Sequence, residues 1–103
     1  MSAPALLTPA ASAAVLEIIA WYADHDEAAG QRFHRAIGEA ARRLGARPLI
    51  GRPAPAALGQ RRLWSLVGFP YLLIYDPHPA PPRILRVVHT ARDLPRLLAD
   101  LKS

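Results

Sequence analysis

The sequence predicts an α+β domain in which an α-helical hairpin packs on an antiparallel sheet of three to four strands, with a short N-terminal strand and a short C-terminal helix. Three observations predict it. Two stretches with apolar residues at helical spacing lie back to back between Thr8 and Gly45, joined so tightly that they must run antiparallel. Three segments rich in β-branched, aliphatic and aromatic residues follow between Arg62 and His89, each bounded by Gly or Pro. The middle one is apolar on both faces, so both need cover, and the hairpin upstream can supply it. With 103 residues, 51% of them hydrophobic, the chain can bury a core and reads as a single domain, residues 1–103.

Pro4 to Leu7 reads as the short first strand. Thr8 and Pro9 start a helix, because the Thr hydroxyl can cap an orphan amide and Pro at the first helical position lacks only a donor that has no partner there. Ala11, Val15, Ile18, Ile19 and Tyr22 then share one face, with Leu16 and Trp21 beside them, and the helix ends near Asp24. Asp26 caps a second helix, and Glu27 places negative charge where the helix dipole favours it. Ala29, Phe33, Ala36, Ile37, Ala40 and Leu44 form its apolar face, Gly45 offers a C-terminal stop and Pro48 follows. The opposite face carries Arg32, Arg35, Glu39, Arg42 and Arg43. It is either a solvated face with a Glu39–Arg43 pair or a surface for an acidic partner.

Arg47 to Gln60 reads as an irregular loop, punctuated by Pro48, Gly51, Pro53, Pro55 and Gly59. The strands are expected at Arg62–Leu66, Phe69–Asp76 and Arg83–His89. Val67 and Gly68 form a tight first turn, and a second turn holds Pro77, Pro79, Pro81 and Pro82, which cannot sit inside a ladder. On the last strand, regular alternation sends Ile84, Arg86 and Val88 one way and Leu85, Val87 and His89 the other. Thr90 or Asp93 then caps a final helix with Leu94, Leu97, Leu98 and Leu101 on one face.

Charge is segregated along the chain. Residues 1–31 hold four acids and no Lys or Arg, giving −4; residues 32–103 hold all thirteen basic residues and four acids, giving +9. An acidic partner, nucleic acid or protein, suits such a surface, and twelve of the thirteen bases are Arg, which favours bidentate contact with phosphate or carboxylate. With no cysteine there is no disulfide and no thiolate chemistry. Metal-ligand spacing, Gly-rich phosphate loops and paired catalytic carboxylates are also missing, so neither a metal nor a cofactor is expected. No apolar run is long enough to span a bilayer and no basic region precedes the first apolar stretch, so the expectation is a soluble, cytoplasmic protein without a membrane partner. His25, His34 and His78 read as structural. His89, at a strand end near Arg62, Arg86 and Arg92, either shuttles a proton beside guanidinium groups that stabilise a phosphodiester or caps the strand.

The segments LTPAASAAVLEIIAWYADHDEAAGQRFHRAIGEAARRLGARPLIGR, RRLWSLVGFPYLLIYD and ILRVVHTARD together resemble the RelE/ParE superfamily of toxins from bacterial type II toxin–antitoxin modules. The most specific parts are Phe69, Pro70, Tyr71 and Tyr75, and the Val88, His89, Arg92, Asp93 ending. The ParE-like branch, associated with plasmid stabilisation, is the nearer of the two. The resemblance implies a strand, a helical hairpin and an antiparallel sheet, held in a hetero-oligomer by a labile ParD-like or similar antitoxin. It also implies growth inhibition by poisoning DNA gyrase; the alternatives are a RelE-like, metal-independent endoribonuclease acting on messenger RNA at the ribosome, and a non-toxic remnant that only binds antitoxin. Arg62 matches the family's arginine on the strand after the loop, Arg86 lies where cleaving members place a phosphate-binding arginine, and His89 lies just beyond. These three are the catalytic set if the chain is a nuclease. Arg32, Arg35, Arg62, Tyr71, Arg86 and Arg92 are the expected contacts to antitoxin or target. The chain departs from cleaving members in having no tyrosine from Thr90 to Leu101 and only Lys102 as a C-terminal lysine.

Overall fold

The computed structural model describes residues 2–102. A short strand β1 (Leu6–Leu7) leads into helices α1 (Pro9–His25) and α2 (Glu27–Ala46). Strands β2 (Arg52–Pro53), β3 (Arg62–Ser65), β4 (Tyr71–Asp76) and β5 (Arg83–His89) follow, and helix α3 (Leu94–Lys102) closes the chain. The sheet order is β1-β5-β4-β3-β2. The expected α+β class, hairpin and C-terminal helix are all present, but the sheet is wider than expected and mixed. β1 runs parallel to β5, pairing Leu6 with Arg83 and Leu7 with Ile84, while the other pairings are antiparallel. The fifth strand, β2, forms inside the stretch expected to be an irregular loop.

Local chemistry explains the hairpin. The Thr8 hydroxyl accepts from Ala11 N at 3.2 Å and donates to the Leu85 carbonyl at 3.1 Å, so one side chain caps α1 and ties it to β5. Asp26 serves both helices. Its N–H donates to the Tyr22 carbonyl at 2.7 Å and its carboxylate accepts from Ala28 N at 3.0 Å, making a one-residue connection. Gly30 lets the helices approach, since a Cβ there would lie 3.1 Å from the Ile19 carbonyl oxygen. Gly45 does not stop α2, which continues to Ala46. It clears the way for the N-terminal segment, because a Cβ would collide with the Ala3 carbonyl and lie 2.8 Å from Pro4 Cα.

β4 is buried from Tyr71 to Tyr75, so both its faces are covered. On the hairpin face Leu73, Tyr75 and Ile84 pack with Phe33 and Leu44; on the opposite face Leu72, Ile74 and Val88 pack with Leu63, Leu94 and Leu97. The expected contributions of Leu98 and Leu101 to that helix lie outside the described residues. Two expectations about the strands are corrected. The β3–β4 connection has four residues beyond the Leu66–Tyr71 bond rather than two, with Gly68 at φ 84° and Phe69 outside the strand. A bulge at Leu85 shifts the register between Ile74↔Arg86 and Tyr75↔Ile84, which moves Ile84 onto the hairpin face and away from Arg86 and Val88.

Candidate functional site

The arginine on β3 is committed to the fold. Arg62 Nη1 donates to the Gly51 carbonyl at 2.7 Å and the Leu49 carbonyl at 3.3 Å. Beside it the Tyr75 hydroxyl donates to the Pro48 carbonyl at 2.7 Å and accepts from Gly51 N at 2.9 Å. Burial pushes the Tyr75 phenol above its ordinary value, while the Gly51 N–H and the Arg62 charge pull it down. Together these residues staple the loop after α2 onto the sheet. Gly51 and Tyr75 were not singled out as a pair by the sequence, and only the Gly between two Pro-marked positions hinted at a close approach.

His89 lies at the other end of the same face. It pairs with Tyr71, whereas Arg62 pairs with Tyr75. Four residues along a strand is about 13 Å and two strand spacings are about 10 Å, so the two sites are separated by about 16 Å. The His89 ring meets Tyr71 edge-on at 5.2 Å, and its Nδ1 accepts from Ala91 N at 3.2 Å and Arg92 N at 3.1 Å. Both N–H groups are aimed at Nδ1, which is thereby placed as an acceptor. A proton cycle through Nδ1 would break both bonds. Asp93 completes the turn: its carboxylate accepts from His89 N at 3.0 Å and from Arg92 Nε at 3.1 Å. The Arg92 hydrogen bond, then that from the His89 amide, hold the Asp93 carboxyl below its usual range. Burial pushes the Tyr71 phenol up, Tyr22 adds to this, and neighbouring Arg92 draws it back.

Arg86 pairs with Ile74 and so projects from the opposite face of the sheet. The three nuclease candidates are therefore not brought together: two lie at opposite ends of one face and the third lies on the other face. Arg32 and Arg35 stand exposed on α2. Arg32 pairs with Asp26 at 3.7 Å and Arg43 with Glu39 at 3.8 Å, both at the surface, whereas Arg35 and Arg42 have no ion pair among the described residues. The second feature missed from the sequence is a largely apolar groove of about 620 Å³ between α1 and α2, lined by Val15, Leu16, Ile19, Ile37 and Gly38 among others. A Cβ on Gly38 would touch only the Arg42 guanidinium, at 3.6 Å, so internal packing does not require a glycine there. A glycine inside a helix costs about 1 kcal/mol against Ala, and that cost was the available signal. Among the described residues no group of three His, Asp or Glu side chains is placed to hold a metal ion, and no helix is long and apolar enough to cross a membrane.

A one-residue helical hairpin laid on this strand order is a RelE/ParE-like architecture, with arginine-rich surfaces around it. The chain matches the family described as ParE toxin of type II toxin–antitoxin system, parDE, over residues 5–94, and it belongs to that family. Membership supports a toxin role in a type II system and pairing with a cognate antitoxin. No curated protein matches the chain.

Proposed function

We propose that the chain inhibits growth by binding DNA gyrase, and that an acidic, amphipathic ParD-like antitoxin silences it. The observation that carries this reading over ribonuclease activity is the dispersal of the nuclease candidates. Arg62 is anchored through Nη1 to the Gly51 and Leu49 carbonyls, Arg86 lies across the sheet, and His89 Nδ1 is engaged by two amides. Phosphodiester cleavage without a metal needs a base and a charge stabiliser around one atom, and these groups do not surround one. Arg32, Arg35 and Arg92 keep their guanidinium groups at the surface, where binding to target or antitoxin needs them. The apolar hairpin groove beside the α2 arginines supports a partner that is apolar on one face and acidic on its flank.

Induced expression without antitoxin, followed by parallel assays of chromosomal breaks and messenger RNA integrity, tests the reading. Breaks with intact message are expected. Message cleavage with intact DNA, abolished by Arg86→Ala, would make the chain a nuclease instead. Unimpaired growth at full expression would leave an antitoxin-binding remnant.

A further inference from the structure

The outer edge of β5 is only partly used. β1 pairs with Arg83 and Ile84, and the chain then turns away into α1. On the inner edge Thr90 N donates to the Pro70 carbonyl at 2.9 Å, and the register pairs Leu72 with Val88 and Ile74 with Arg86. Antiparallel alternation therefore assigns the inner bonds to Arg86, Val88 and Thr90 and turns the main-chain groups of Val87 and His89 outward. Those of His89 are satisfied: its N–H donates to the Asp93 carboxylate, and its carbonyl accepts from Asp93 N at 2.8 Å. Those of Val87, a residue only 8% exposed, meet no strand on that side, because β1 pairs no further along β5 than Ile84. An unpaired stretch of strand edge is a place where a further extended chain can add.

Val87 lines a cleft of about 370 Å³ between Ala10 and Ala14 of α1 and Arg96 and Leu97 of α3, with Arg86 at its side. Small residues on α1 keep the cleft open. Further along α1 lies a second cleft of about 390 Å³, walled by Trp21, Tyr71, His89 and Arg92. Trp21 is 57% exposed yet stacked on His25 at 4.5 Å, so an apolar surface is held ready in solvent. From Ala10 to Trp21 the two clefts span about 16 Å of helix. That length accommodates about five residues of extended chain.

We propose that this trough receives an extended, acidic segment of the antitoxin, whose main chain pairs with Val87, whose carboxylates meet Arg86 and Arg96, and whose apolar side chain seats against Trp21. The proposal rests on the toxin–antitoxin reading. The charged groups facing the trough are Glu17, Asp93, Arg86, Arg92 and Arg96. Asp93 is bonded to Arg92, which leaves Arg86 and Arg96 as the positive excess at the Val87 end. A nucleic-acid phosphate could meet those arginines but has no donor for the Val87 carbonyl, whereas a peptide offers both donor and acceptor. A second copy of this chain fits poorly, since among the described residues the only acid on a strand is Asp76.

The test is site-resolved amide hydrogen exchange on the free chain and on its complex with the co-expressed cognate antitoxin. The Val87 amide should slow by at least about tenfold in the complex, as expected when an open edge becomes a ladder. Arg86→Gln and Arg96→Gln, both at exposed positions, should each weaken antitoxin affinity by about five- to tenfold. An unchanged Val87 amide in a tight complex would overturn the trough while the toxin–antitoxin reading stands. Failure of the folded chain to bind its antitoxin would overturn both.

Discussion

Tyr75 and Tyr71 lie four residues apart on one face of β4, each beside an arginine, and the molecule uses them in opposite ways. Tyr75 is wholly buried, and its hydroxyl and Arg62 spend their hydrogen bonds on the 48–51 loop. Tyr71 is nearly as buried, but its ring supports His89, and its neighbour Arg92 lies exposed beside the second cleft. The difference teaches that an arginine on this sheet is a staple where main-chain carbonyls of the fold come within reach. Where they do not, it stays exposed at the surface.

The largest expected effect breaks the sealed end. In Gly51→Ala the new Cβ would lie 2.6 Å from both the Leu63 carbonyl oxygen and the Tyr75 hydroxyl, so the loop must detach or the strands must part. A stability loss of about 3 kcal/mol is expected, read as a lower urea midpoint. The next test sets the two tyrosines against each other. Tyr75→Phe strands the Gly51 N–H and the Pro48 carbonyl and should cost about 1–3 kcal/mol, whereas Tyr71→Phe should cost less than about 0.5 kcal/mol. Equal losses would erase the distinction between the ends.

The smallest effect is electrostatic and belongs to the open end alone. Because the folded Asp93 carboxyl titrates below its usual range, its contribution to stability is present above the unfolded value of about 4 and is lost as pH falls through the lowered folded value. The protection factor of the His89 amide, its exchange rate taken against the intrinsic rate at each pH, should therefore fall on acidification through that window, while the Gly51 amide, held by a phenol, stays protected. Matching behaviour of both amides would show global unfolding rather than release of the Asp93 turn.

Much of this was legible in the chain because helix signals are local. Thr8, Pro9 and Asp26 act on amides within three residues, and the apolar spacing of Phe33, Ile37, Ala40 and Leu44 is a property of one helix. The two-sided burial of β4 was likewise written in its unbroken apolar run. Pairing and facing were decided by the tertiary structure. Whether Leu6 runs parallel to Arg83, whether Leu85 bulges and turns Ile84 over, and whether Gly45 ends a helix or clears space for Ala3 all depend on residues tens of positions away. The same holds for the arginines. Arg62 and Arg86 are alike in sequence as basic residues on short strands, and only the position of the 49–51 carbonyls and the register of β5 make one a staple and leave the other exposed on the opposite face.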